Sequence, residues 1–180
     1  MGDSTGGVIA ASTEEATTGD ADVFVALVEP VLPPAYRLAL AMLRSEIEAE
    51  DAVQEAMFKA WRHFGKFRRD AEMKPWLLAI VANECRRLRR SHWSWVIKTA
   101  DPIGVTEQAR PEVHEVRDDL RCALYSLPHD QRLAVILRYY VDLSFEEVGQ
   151  VLKISAKAAK SRTYRALERL RLNPEVLADE

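Results

Sequence analysis

The segment Glu48–Phe64 carries apolar side chains at Ala52, Val53, Ala56, Met57, Ala60 and Trp61. These fall at i, i+1, i+4, i+5, i+8 and i+9, which is the spacing of a helix with one buried face. A strand buries alternate residues and cannot be built on this pattern. The same period recurs at Phe24, Leu27 and Val28, and again over Tyr36–Leu43 after the break at Pro33 and Pro34. Pro75 suits the first turn of a further helix, with Trp76, Leu77, Ile80, Val81 and Leu88 facing inward and an end in Arg86–Arg90. In the second half, Val116–Ser126 reads as a helix stopped near Pro128. Asp130–Val141 follows, with Leu133, Ile136, Leu137 and Tyr140 inward. No segment gives a convincing strand signal, so the expected class is all-α.

Two segments break the periodicity. Residues 1–20 are rich in Gly, Ser, Thr and Ala and bury too little to offset chain entropy, so a disordered acidic tail is expected. Residues 91–113 contain Pro102, Gly104 and Pro111 and lose the apolar stripe. The expected architecture is therefore two small helical domains, 21–92 and 114–174, joined by a flexible linker over 93–113. No run approaches 18 consecutive apolar residues, and the N-terminus lacks a basic and apolar leader, so neither membrane insertion nor export is expected and the cytoplasm is the expected location.

The net charge of −3 argues against a nucleic-acid binder only until it is resolved along the chain. Residues 1–30 hold six acids and no base, which leaves +3 on the remainder. Residues 59–98 carry 11 Lys and Arg against three acids, and residues 153–171 carry seven bases against Glu168 alone. The acids Glu46, Glu48, Glu50, Asp51 and Glu55 sit together at the start of one helix. Acids are favoured there by the helix dipole, but Asp51, Gln54, Glu55 and Phe58 also occupy adjoining helical positions suited to docking a protein. Basic and acidic surfaces are thus segregated, which points to more than one macromolecular partner.

Catalytic and metal chemistry find little support. Cys85 and Cys122 are too far apart for a metal clamp and read as space-filling thiols, and His63, His92, His114 and His129 are scattered in exposed-looking contexts. No nucleophile elbow, phosphate loop, dinucleotide fingerprint or zinc-protease motif occurs, so no enzyme, cofactor or metal is expected.

The binding signals are stronger. Ser144-Phe-Glu-Glu147 fits a capping box that opens a short helix ending near Leu152. Lys153-Ile154-Ser155 makes a turn into a basic helix, 156–171, that stops before Pro174. This is a helix-turn-helix pattern, its corner sealed by Val148, Leu152 and Ile154. Lys157, Lys160, Ser161, Arg162 and Arg165 occupy the half that enters a major groove in such modules. An ordinary helical hairpin with a solvated basic face gives the same local pattern. Arg86, Arg87, Arg89 and Arg90, with Trp93, Trp95 and the loop residues Arg68, Arg69 and Lys74, make a second basic surface suited to single-stranded or distorted DNA.

At this point the residues resemble a known family. Asp51-Ala-Val-Gln-Glu-Ala-Met-Phe-Lys-Ala-Trp61 is similar to the most recognisable stretch of bacterial RNA polymerase sigma factors. Phe67-Arg-Arg-Asp70 with Pro75-Trp-Leu-Leu-Ala-Ile-Val-Ala-Asn83 resembles their promoter-melting region. Leu127-Pro-His-Asp-Gln-Arg132 and Leu137–Glu147 resemble the start of their C-terminal domain. The match spans roughly residues 22–172, and its brevity resembles the extracytoplasmic-function group of the sigma-70 family. The resemblance implies that Asp51, Gln54, Glu55 and Phe58 dock the clamp of core RNA polymerase. It implies that Arg68, Arg69, Lys74, Trp76, Asn83, Arg86, Arg87 and Arg90 hold the minus-10 element, with a base flipped from the stack. It implies that Lys157, Lys160, Ser161, Arg162 and Arg165 contact the minus-35 element as duplex, and that an anti-sigma factor is a partner the group commonly has.

The sequence departs from the family at Lys153, where a Gly is usual, and at Lys157-Ala158-Ala159, where a Gly-Thr-Val-like run is usual. A left-handed backbone at Lys153 costs on the order of 1 kcal/mol. Glu48-Ala-Glu-Asp51 retains acids of the usual lead-in. A stand-alone helix-turn-helix regulator, or a pure interaction module such as an adaptor, are the competing classes. Deleting residues 1–20 removes four acids and is expected to raise salt-sensitive, non-specific DNA binding. Titration of both chains against a plain duplex over a salt series checks this, and unchanged binding at low salt reduces the tail to a solvated leader.

Overall fold

The computed structural model describes residues 18–68, 70–98 and 115–171, without the side chains of 18, 19, 91–98, 115–119 and 121. Most of the expected tail and linker lies outside these residues, as do Arg69 and the side chains of Trp93 and Trp95. Among the described residues there is no strand.

The first bundle is α1 (Thr18–Val28), α2 (Leu32–Leu43), α3 (Glu46–His63) and α4 (Met73–Lys98). A single 3-10 turn, Glu29–Val31, joins α1 to α2 across Pro30. Asp20–Leu43 has the length and a mean hydropathy of 1.5 that would suit a membrane span. Here it folds back as two helices about that turn, with Val28, Val31, Leu38 and Met42 entering the core. Arg44, at φ 64°, ends α2 in a left-handed turn. Ser45 then caps α3, its hydroxyl accepting from the Glu48 N–H at 3.3 Å. The α3 stripe does what its period predicts: Ala49, Ala52, Ala56 and Ala60 are all fully buried. Small side chains along this stripe let α3 lie close against α2 and α4.

Helix α4 runs eight residues past Arg90, where the sequence pattern placed its end. Residues 93–98, assigned to the linker by composition, continue the helix. Cys85 sits in the core at 1% exposure, and burial pushes its thiol pKa up to about 12. That suits an inert packing residue.

The second bundle is α5 (Glu115–Ser126), α6 (His129–Val135), a π-helical turn (Ile136–Tyr140), α7 (Phe145–Leu152) and α8 (Ala156–Arg171). The π turn corrects one expectation. Tyr140 does not face inward but is 52% exposed, and Val141 takes the buried place. The wider turn, closed by the Val141 N–H to the Ile136 carbonyl at 3.0 Å, inserts one residue into the helical period. The capping box forms as expected: Ser144 Oγ accepts from the Glu147 N–H at 3.1 Å, and Glu147 accepts from the Ser144 N–H at 2.6 Å.

The two bundles pack on one another through α4 against α7 and α2 against the π turn. Leu77, Leu78 and Val81 share one apolar cluster with Leu137, Leu143, Val148 and Val151. A smaller cluster of Ala123, Leu127, Val135, Ala166 and Leu170 ties α5 and α6 to α8. Composition foretold two bundles but carried no sign that they share a core.

The helix-turn-helix corner is tight. Lys153 takes φ 56° and ψ 46°, the left-handed conformation anticipated at the family's usual Gly. A Cβ on Gly149 would lie 2.7 Å from the Ile154 carbonyl oxygen, so only hydrogen fits there. Gly149→Ala is expected to lower stability by about 1–3 kcal/mol through overpacking. Lys153→Gly is expected to raise it by up to ~1 kcal/mol, because glycine relieves the left-handed strain. Thermal or urea unfolding of both variants reads the two opposite signs.

Candidate functional site

Helix α8 presents one solvent face. Lys157, Lys160, Ser161, Tyr164 and Arg165 are all exposed, at i, i+3, i+4, i+7 and i+8. Four of the five sequence-predicted duplex contacts are therefore on one stripe. The Arg165 guanidinium donates back to Ser161, to its carbonyl at 3.3 Å and its hydroxyl at 3.1 Å. Lys160 Nζ lies 5.9 Å from the centre of the Tyr164 ring. Tyr164 was missed in the sequence, although it lies one turn beyond Lys160 and Ser161. Arg162 is the exception. Its side chain is 30% exposed, and Nη1 lies 3.6 Å from an Asp130 carboxylate oxygen.

Helix α4 carries a second stripe. Asn83, Arg86, Arg87 and Arg90 recur at i, i+3, i+4 and i+7, and share a face. Asn83 Oδ1 accepts from Arg86 at 3.3 Å. Lys74 and Trp76 lie about 14 and 10 Å back along the axis, one on each side of Pro75 and both before Asn83. Arg68 is in the exposed loop before α4 and forks onto Asp70 with contacts of 3.1 and 2.6 Å. This hydrogen bonding holds the Asp70 carboxyl below its ordinary range. Trp76 is half-buried, its ring centre 4.8 Å from that of Phe67. Phe67 in turn continues through Phe64 to Trp61 and Phe24, so Trp76 ends an aromatic ladder.

The docking candidates also come together. Asp51, Gln54, Glu55 and Phe58 line, with Arg87 and Leu88, an open depression of about 500 Å³. Phe58 is 56% exposed, beneath the guanidinium of Arg62. A large aromatic held in water at the edge of acidic groups is a feature of binding surfaces rather than of a core.

Beneath this depression lies a residue the sequence offered only as an offsetting charge. Glu84 is 4% exposed and accepts from Lys59 at 2.7 Å and from Arg87 at 2.8 Å. Burial pushes its pKa up, but the two hydrogen-bonded cations outweigh this and hold it below the ordinary carboxylate range. Lys59 also meets Glu55 at 3.3 Å, so one chain of charges links the depression to the basic stripe. No local pattern reveals this, because Lys59 and Glu84 are 25 residues apart.

Among the described residues, no three His, Cys, Asp or Glu are grouped to hold a metal. His129 corrects another expectation: its ring is 11% exposed, and burial pushes its pKa down.

Residues 27–94 match the family described as Sigma-70 region 2, and residues 117–170 match Sigma-70, region 4. The chain is 35% identical over 136 residues to the ECF RNA polymerase sigma factor SigM of Mycobacterium tuberculosis, covering 75% of this chain and 68% of that one. It is 31% identical over 169 residues to SigL of the same species, covering 90% and 94%. SigW of Bacillus subtilis is 28% identical over 167 residues. The sigma factor RpoE of Bartonella quintana, solved with the anti-sigma factor NepR, superposes with a TM-score of 0.70 at 26% identity, covering 88% of this chain and 99% of that one. CnrH, solved with the cytosolic domain of CnrY, superposes at 0.66 and 24% identity and shares the fold. The fold and its two matched regions are those of a transcription initiation factor. The chain belongs to the extracytoplasmic-function sigma factors of the sigma-70 family.

Glu84 yields a prediction with a defined sign. A carboxyl whose pKa is depressed by folding adds stability above its unfolded pKa and loses it as pH falls through the folded value. Glu84→Gln is expected to destabilise by about 1–3 kcal/mol at neutral pH. The gap between wild type and variant should narrow once pH drops below the ordinary glutamate range. Urea unfolding at stepped pH checks it, and a gap independent of pH refutes it.

Proposed function

We propose that this sigma factor docks core RNA polymerase through Asp51, Gln54, Glu55 and Phe58. It holds the minus-10 element on Arg68, Arg69, Lys74, Trp76, Asn83, Arg86, Arg87 and Arg90. It contacts the minus-35 duplex with Lys157, Lys160, Ser161 and Arg165, and reaches Arg162 only after rearrangement. The observation that carries this reading is the convergence of three separate sequence motifs onto three separate surfaces. One is an acidic depression with an exposed aromatic, and two are single-face basic stripes. Each has the chemistry its partner needs: acids and Phe58 for a protein clamp, arginines for phosphates, and a helix face for a major groove. The chain itself supplies recognition, in the cytoplasm, and catalysis stays with the polymerase.

The arrangement supports a second partner. Two promoter elements about 25 base pairs apart are separated by about 85 Å of duplex. With α4 packed on α7, the two reading surfaces cannot meet them together. The same closed arrangement aligns over both bundles with a sigma factor solved in an anti-sigma complex. A closed free or inhibitor-bound form, opened by polymerase, follows from this.

Pull-down of core polymerase under mild salt tests the reading. Asp51→Arg with Glu55→Arg is expected to abolish core binding while leaving the helical signal and unfolding midpoint nearly unchanged, since neither side chain is buried. A double variant that still starts transcription removes the docking assignment. Tight, specific binding of an operator duplex by the chain alone would instead favour a stand-alone regulator.

A further inference from the structure

Where the two bundles meet, one carboxylate touches both basic surfaces. Asp130 sits in the first turn of α6 with its side chain 54% exposed. Its Oδ1 lies 3.2 Å from Arg86 Nη2, on the α4 stripe. Its Oδ2 lies 3.6 Å from Arg162 Nη1, on α8. The ring nitrogen Nδ1 of His129 is 3.3 Å from the same Oδ1. Two oxygens spread between two guanidinium groups is also the arrangement that a DNA phosphate makes with paired arginines.

We propose that Asp130 is an electrostatic clip on the free factor: its pair with Arg86 crosses the junction and favours the closed form, and its pair with Arg162, inside the second bundle, withholds a further arginine of the minus-35 helix. The proposal rests on the reading of Arg86 and Arg162 as DNA-facing. It goes beyond that reading by naming what holds those arginines when DNA is absent.

The surroundings make the clip releasable. Both of its ion pairs are partly exposed, so each is weak and salt-sensitive. Closure also carries costs at the same corner. Arg132 is 6% exposed, and among the described residues it pairs with no carboxylate; two carbonyl oxygens, of Tyr125 and Leu127, and the Tyr125 ring receive it. Arg44, from the first bundle, lies over the same ring at 4.6 Å, and the Tyr125 hydroxyl donates to the Ala41 carbonyl. Two arginines gathered on one ring repel one another, and parting the bundles would separate them. The junction is therefore held by apolar contact, by Asp130 and by the contacts of Tyr125 with Arg44 and Ala41, against the like charge of Arg44 and Arg132. DNA phosphates offer both arginines a stronger partner than a half-exposed carboxylate, so binding of nucleic acid and release of the clip are coupled.

The test uses the full chain and a plain duplex without promoter sequence, read by fluorescence anisotropy over a salt series. Asp130→Asn keeps the shape of the side chain and removes its charge. Asp142→Asn removes one acid from an exposed loop of the same bundle, and Asn tolerates the left-handed φ of 57° there. Relative to Asp142→Asn, Asp130→Asn is expected to bind about two- to fivefold tighter at low salt, the range set by a partly exposed ion pair. The log-log salt slope should steepen by about one to two as the freed arginines take phosphates. Arg86→Gln with Arg162→Gln is expected to weaken binding, and Asp130→Asn added to that pair should change nothing. Equal affinity of Asp130→Asn and Asp142→Asn overturns the clip while leaving the DNA reading intact. Unchanged affinity of the double arginine variant overturns the DNA reading of those residues, and the clip with it.

Discussion

One face of α4 carries the molecule. Leu77, Leu78, Val81 and Cys85 are buried along it, and the helix packs against α1, α2 and α3 as well as α7. At 26 residues it is about 39 Å long, enough to close the first bundle and still present a face to the second. The opposite face cannot be apolar without exposing it to water, so Asn83, Arg86, Arg87 and Arg90 fall there. The same period that builds the core thus aligns the basic stripe. A one-residue slip in α4 would lose both together.

Buried charge is placed with the same economy. Glu84 is a single carboxylate inside the first bundle, and it is tolerable only because Lys59 and Arg87 both reach it. Its effect is geometric. It fixes Arg87 at the rim of the depression lined by Asp51 and Phe58, and so sets the distance between an acidic surface and a basic one. A hydrophobic residue in its place would pack, but it would leave the Arg87 guanidinium without its anchor.

Much of this was legible in the sequence because it depends on local period. The α3 alanine stripe and the capping box at Ser144 follow from residues within one or two turns of each other, while the left-handed turn at Lys153 was signalled only by the Gly that the family usually has there. That Asp51, Gln54, Glu55 and Phe58 share one surface, and that Lys157, Lys160, Ser161 and Arg165 share another, followed from the same local spacing. What escaped depends on one inserted residue or on distant contact. The π turn moves Tyr140 out and Val141 in, and apolar spacing alone cannot signal an extra residue when both neighbours are apolar enough to serve. Helix α4 continues past Arg90 because nothing in 91–98 stops a helix; composition, not a breaker, suggested the end there. Arg162 looked like its neighbours Lys160 and Arg165, yet it lies toward α6 and meets Asp130. The partnership of Lys59 with Glu84 and the contact of α4 with α7 join residues tens of positions apart, where no periodicity reaches.

The two basic surfaces differ in how far the closed form commits them. On α8, Lys157, Lys160, Ser161, Tyr164 and Arg165 face water; Arg165 with Ser161 and Lys160 with Tyr164 meet along the helix itself, and the Tyr164 ring also meets Phe145 of α7. On α4, Asn83 binds Arg86, Arg86 binds Asp130, and Arg87 binds Glu84. If the α4 stripe holds an unpaired strand, as proposed, those partners must first be exchanged, whereas the proposed α8 contacts need mainly displacement of water. The difference matches the chemistry at each site. Duplex presents its groove edges ready-made, and a helix face can meet them without rearrangement. A melted strand has no fixed shape until polymerase opens it, and its stacking energy must be offset by contacts formed as it opens. On the proposed reading of the α4 stripe, internal acids on Arg86 and Arg87 would keep those two arginines from gripping duplex phosphates early. Those acids also orient the guanidinium groups, so the exchange of a carboxylate for a phosphate costs little ordering.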